Sequence, residues 1–155
     1  MNIGIIIHSQ TGHTYSVAER IKEKLAAAGH GVNIERVTPV GEAHPGIKNL
    51  QLETKPPTEP YDALIFAAPV WAFTLSPVLA AYLAQLPSLQ GKKTACFVTM
   101  GFPFSWMGGN RAVTRIQEIC AAKGATVCGA AVLHWMGRDR EPEITVAVER
   151  LSGLF

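Results

Sequence analysis

The sequence lacks an excess of either charge. Its 155 residues hold fourteen Lys and Arg against twelve Asp and Glu, a formal charge of +2. That argues against the basic footprint of a nucleic-acid binder and against a strongly acidic carrier surface. Cysteine is scarce: Cys96, Cys120 and Cys128 form an odd set with no Cys-x-x-Cys. Cys96 and Cys128 lie in apolar runs, which predicts reduced, buried thiols in a cytoplasmic protein and no disulfide framework. The five histidines are scattered, without i,i+4 spacing or neighbouring thiols, so no metal site is expected. No basic stretch precedes the first apolar run, so no secretory signal is evident. Charge is missing altogether from Ala63 to Gly91, long enough for a membrane helix. Pro69 and Pro77 break that run and its first part reads as a strand, so no membrane association is expected.

What is present is concentrated at the start. Ile3, Ile5, Ile6 and Ile7 make a nearly unbroken β-branched run, as in a parallel strand covered on both faces. Three hydroxyls (Ser9, Thr11, Thr14) and Gly12 follow at once. Val17, Ala18, Ile21 and Leu25 then repeat at helical spacing opposite Glu19, Arg20, Lys22 and Glu23, up to Gly29. A strand that turns through hydroxyls and glycine into a helix makes an anion pocket. The first helical N–H groups lack partners, and the helix dipole adds partial positive charge there. Neither Gly-Lys-Ser/Thr nor Gly-x-Gly-x-x-Gly occurs, so the triphosphate loop and the dinucleotide fingerprint are both missing. The plainer reading of the same residues is a capping cluster on an ordinary helix.

Further along, residues 31–37 alternate loosely, as an edge strand does. Residues 38–60 hold half of the ten prolines and read as a long surface connection, with one helical turn near Ile47 to Leu52. A buried strand spans Ala63 to Ala68, and Pro69 to Ser76 is its loop. Ser76 then caps a helix that starts at Pro77 and is stopped by Pro87. Lys92 to Thr99 is a fourth strand. The loop Met100 to Asn110 leads to a helix with Val113, Ile116, Ile119 and Cys120 inward, ended by Gly124. Thr126 to Leu133 is the fifth strand, with His134 to Gly137 its exit, and Glu141-Pro142-Glu143 opens the last helix. Five strands alternating with helices, without repeat or linker, predict one α/β domain over 1–155. It is a doubly wound parallel sheet with helices on both faces.

Ser-x-Thr-Gly-x-Thr directly after the first strand resembles the FMN-phosphate loop of the flavodoxin-like superfamily, and the element order and length extend that resemblance over the whole chain. The resemblance implies the strand order 2-1-3-4-5, with a ligand crevice at the reversal between strands 1 and 3. It implies FMN as cofactor, its phosphate held by Ser9, Gln10, Thr11, Gly12, His13 and Thr14. Pro69, Val70, Trp71, Ala72 and Phe73 would run along one side of the flavin ring. Thr99, Met100, Gly101 and Phe102 would run along the other, with Trp106 as a lid. Gly-His-Thr at 12–14 looks closer to the NAD(P)H:quinone reductase branch than to classical carriers, which tend to have Asn at the position of His13. The chain departs from that branch in a third loop loaded with Phe102, Phe104 and Trp106.

Five of the twelve aromatics sit in the loops after strands 3 and 4, where large rings are expected only if they cover something. A flat flavin would be one such object; the protein core or a homodimer face would be others. His134, at the same edge, has the ordinary pKa of a proton donor near neutrality, although a strand-end histidine commonly has no chemical duty. Arg138 and Arg140 could meet a nicotinamide dinucleotide phosphate, or simply be solvated beside Asp139 and Glu141. The sequence thus predicts an FMN-binding redox protein. One version is an NAD(P)H-dependent oxidoreductase acting on a quinone or similar acceptor; another is an electron-transfer carrier docking to a reductase partner. A flavin-free interaction domain that keeps the fold is a third.

Overall fold

The computed structural model describes residues 1–135 and 140–155. The isoleucine run makes strand β1 (Asn2–Ile7), buried from Ile3 onward because helices cover both faces. Helix α1 (His13–Ala27) returns antiparallel to it and buries Val17, Ala18, Ile21 and Leu25, the stripe its spacing predicts. β2 (Gly31–Arg36), β3 (Ala63–Trp71), β4 (Lys93–Met100) and β5 (Thr126–His134) complete a parallel sheet of order β2-β1-β3-β4-β5. The predicted order is therefore the observed one. Its reversal between β1 and β3 puts the ends of β1, β3 and β4 side by side.

Period-two alternation along each strand feeds two cores. Ile3, Ile5, Ile7, Ile65 and Phe97 face α1 and the last helix, α4 (Arg140–Ser152). Ile6, Leu64, Phe66, Cys96 and Val98 face α2 (Pro77–Gln85) and α3 (Gly109–Ala122). Ser76 caps α2, its Oγ accepting the Val78 N–H at 3.2 Å with Pro77 at the first helical position, as predicted. No helix among the described residues is long and apolar enough to cross a membrane; the charge-free run is divided between β3 and α2.

Three expectations are corrected. The connection 38–60 holds a short antiparallel pair, Thr38–Pro39 with Leu52–Thr54, and no helical turn near Ile47. Strand β3 runs on through Pro69, Val70 and Trp71 instead of ending at Ala68. Val70 and Trp71 then pair with Leu75 and Thr74 in a two-residue hairpin. Ala72 and Phe73 form its turn, with φ of 49° and 65°. Cys96 and Cys120 are buried, their thiols pushed up to about 12 and about 11 by burial, but Cys128 is only half-buried. Thr94 opposes Val127 and Ala95 opposes Gly129, so Cys128 is the extra residue of a β-bulge and is displaced from the ladder.

Candidate functional site

Loops leaving adjacent parallel strands must emerge at one edge, and here three of them enclose a cavity of about 180 Å³. From the first come Gln10, Thr11, His13 and Thr14; from the end of β3, Pro69, Val70 and Trp71; from the end of β4, Thr99, Met100 and Gly101. Ten of the sequence-predicted residues therefore meet around one space. Trp135 completes the lining, held there by its N–H donating to the Met100 carbonyl at 2.9 Å.

The first loop is built for an anion. Helix α1 starts at His13 with Gly12 as N-cap at φ 91°, a left-handed conformation that a side chain would strain. Gly12, the N-cap, brings no capping side chain, and no acidic residue lies in the first turn. Of the three hydroxyls only Ser9 caps, its Oγ accepting the Tyr15 N–H at 3.3 Å; Thr14 pairs with Thr99 instead. The N–H groups of residues 10–14 have no acceptor among the described residues. A Cβ added at Gly12 would meet nothing within 4 Å, so backbone there stands open to a ligand. No carboxylate lines the cavity, and Thr11 is exposed with its hydroxyl unpaired among the described residues. Unsatisfied donors, a helix dipole and the absence of acid all favour a phosphate-like group. At this volume the cavity is smaller than the roughly 300–1,000 Å³ of typical small-molecule sites; a larger ligand would continue beyond it.

Thr14 is buried instead of presented: its Oγ1 lies 3.0 Å from that of Thr99, tying the first loop to β4. His13 stacks on Trp135, ring centroids 4.5 Å apart, and the Arg140 guanidinium lies 5.6 Å from the same indole. Desolvation beneath that stack, and secondarily the Arg140 charge, lowers the His13 pKa. Arg138 and Asp139 lie outside the described residues.

Six predicted residues do not line the cavity. Ser9 turns toward a neighbouring one, and Gly12 is the helix cap. Ala72 and Phe73 occupy the hairpin turn; Phe73 stacks on Phe102 at 5.0 Å, both partly exposed. Trp106 is 75% exposed and stacks on Phe104 at 5.9 Å. A Cβ at Gly108, the α3 cap, would come within 2.6–2.8 Å of the Phe73 backbone, so the hairpin packs directly on the start of α3. His134 is also kept from the cavity: its Nδ1 is 3.1 Å from Glu143 Oε2 and its Nε2 3.1 Å from Ser105 Oγ. Its imidazole bridges α4 to the loop after β4, which makes it a brace for that loop.

Trp135 was not predicted, although an indole one residue past a strand at the loop-bearing edge is the signal that could have found it. No group of three or more metal-ligating side chains occurs among the described residues.

No protein-family profile matches the sequence, and no curated protein aligns with it. Solved structures do match. Oxidised flavodoxin 1 from Bacillus cereus shares 17% identity at a TM-score of 0.73, covering 99% of this chain and 96% of that one. Two-electron reduced Megasphaera elsdenii flavodoxin shares 22% at 0.70, covering 97% and 98%. The Trp repressor binding protein from Bacillus subtilis shares 15% at 0.68, covering 100% and 99%. The fold is flavodoxin-like.

Proposed function

We propose that this is an FMN-binding redox protein whose first loop holds the cofactor's phosphate. The observation that carries the reading is the run of unpartnered N–H groups at residues 10–14, opening on an acid-free cavity where β1, β3 and β4 end. The flavodoxins it resembles support the same assignment. Bound FMN supplies one- and two-electron chemistry that no side chain here can supply. The chain's part is to bind and orient. Thr11 and the loop N–H groups hold the phosphate, while Pro69 to Trp71 and Thr99 to Gly101 wall the space next to it.

For the reaction, we favour an NAD(P)H-dependent reductase of a quinone or similar acceptor, working in the cytoplasm. At a formal charge of +2 and with no carboxylate lining the cavity, no strong acidic field of the kind that steers a basic partner is apparent. The second reading, an electron carrier docking to a reductase, has its own support: Phe73, Phe102, Phe104 and Trp106 are exposed together on the two loops beside the cavity, as at a protein contact.

The cofactor assignment is tested by titrating the protein with FMN and riboflavin. A hydrogen bond to a charged acceptor contributes about 1.5–3 kcal/mol. Thr11→Val should therefore weaken FMN about tenfold or more and leave riboflavin nearly unchanged. Equal affinity of the wild-type protein for the two flavins would defeat the proposal.

A further inference from the structure

A second cavity, of about 410 Å³, lies on the other side of Trp71 and Gln10, which line both spaces. Its outer wall is the start of the proline-rich connection, including Pro39, Glu42 and Ala43; its inner wall includes His8 and Val37. Arg36, at the end of β2, stands at its side.

His8 is 5% exposed, and its Nδ1 lies 2.6 Å from Ser76 Oγ. Ser76 is fully buried and already accepts the Val78 N–H, so its own hydrogen needs an acceptor. Nδ1 is the only acceptor in reach among the bonds described, which fixes the tautomer with hydrogen on Nε2. Nε2 has no protein partner among the described residues, on a ring that lines the cavity. Among the described residues Ser152 Oγ is the one buried side-chain atom without a partner, so this Nε2–H is not sealed off: it opens into the cavity, where water or a ligand can accept it.

The second donor is charged. Arg36 spreads its guanidinium over the Tyr15 ring at 4.4 Å and donates from Nη1 to the Ser9 carbonyl at 3.4 Å. It has no carboxylate partner among the described residues, so the rest of its donor fork is free. The remaining wall is apolar: Val37, Pro39, Ala43 and Trp71. Glu42 is the one acid in the lining, and it is exposed.

We infer that this second cavity binds a small aromatic carboxylate, its anionic end on Arg36 and the His8 Nε2–H and its ring against Trp71, Val37, Pro39 and Ala43. The site adjoins the one assigned to FMN and shares Gln10 and Trp71 with it, but its donors, Arg36 and His8, line only the second cavity, so the inference does not depend on that assignment. It also gives the long connection after β2 a purpose, as the lid-side wall of a ligand site.

The test is calorimetric titration of the full chain with sodium benzoate, with and without saturating FMN, alongside the ring resonances of the histidines. One benzoate should bind per chain, shift the His8 resonances, and bind equally well in the presence of FMN. Arg36→Gln should weaken it about tenfold, whereas Glu42→Gln, which removes a like charge, should tighten it about twofold. Both residues are exposed, so both variants should fold. Ala43→Leu should fill the space and abolish binding. Acetate and inorganic phosphate should each bind at least about tenfold more weakly, lacking a ring to bury. Absence of saturable benzoate binding, an unchanged affinity in Arg36→Gln, or displacement by FMN would overturn the site. Acetate or phosphate binding as tightly as benzoate would overturn the ligand class.

Discussion

An imidazolium at position 8 would be poorly solvated. Burial lowers the His8 pKa from 6.5 to about 4, so the ring is neutral at pH 7. In the unfolded chain the ordinary value returns. Between pH 6.5 and about 4 the unfolded state therefore holds more protons than the folded one, and stability falls as pH falls through that window. Above 6.5 neither state is protonated and this contribution does not change. The total is roughly 3 kcal/mol. His8→Gln should flatten the slope of stability against pH in that window, measured by urea unfolding at each pH. An unaltered slope would mean that His8 is charged in the folded protein. Nothing in the sequence distinguished this histidine from the other four. Its position one residue past β1 is as telling as that of His134, but its burial comes from β3 and the α2 cap, which are distant in sequence.

At the scale of elements, the hairpin after β3 is the one segment built against its residues' preferences. Two-residue hairpins favour Asn-Gly because both central residues need positive φ; here Ala72 and Phe73 take those places. A left-handed non-glycine residue is strained by about 1–2 kcal/mol, and glycine gives back about 0.5–1 through unfolded-state entropy. Ala72→Gly should thus stabilise the fold by up to about 1 kcal/mol while sparing the Phe73–Phe102 stack, seen as a higher urea midpoint at unchanged m. A lower midpoint would show that the turn is relaxed as it stands. The same lack of a turn signal is why the segment reads as plain loop. Strands and helices were legible where apolar spacing dictates burial, as at Ile3 to Ile7 or Val17 to Leu25. The pair Thr38–Pro39 and Leu52–Thr54 was not, since two or three residues beside proline carry no period. The convergence of Thr11, Trp71 and Gly101 was legible because strand order alone brings their loops together. The placement of Trp106 was not, because whether a loop ring turns inward depends on partners such as Phe104.

For the whole molecule, the decisive question is where electrons enter. If the protein is a reductase, NAD(P)H alone should bleach the absorbance of the FMN-loaded protein under anaerobic conditions, and a quinone should restore it. If it is a carrier, NAD(P)H should do nothing until a flavoprotein reductase is added, and replacing the exposed Phe104 and Trp106 with serine should slow that step without releasing FMN. Stopped-flow absorbance reads both outcomes. Bleaching by NAD(P)H alone would reject the carrier; its absence would reject the reductase.

The bulge at Cys128 reaches beyond the single molecule. β5 is an outer strand of the sheet, and an unpaired row of N–H and C=O groups is a template on which another chain can grow. A flat β5 nine residues long would offer that template along its length. The extra residue interrupts the spacing near its start and increases the local twist, and Arg150 donates to the Ala130 carbonyl further along, so the strand does not present one regular row to a second chain.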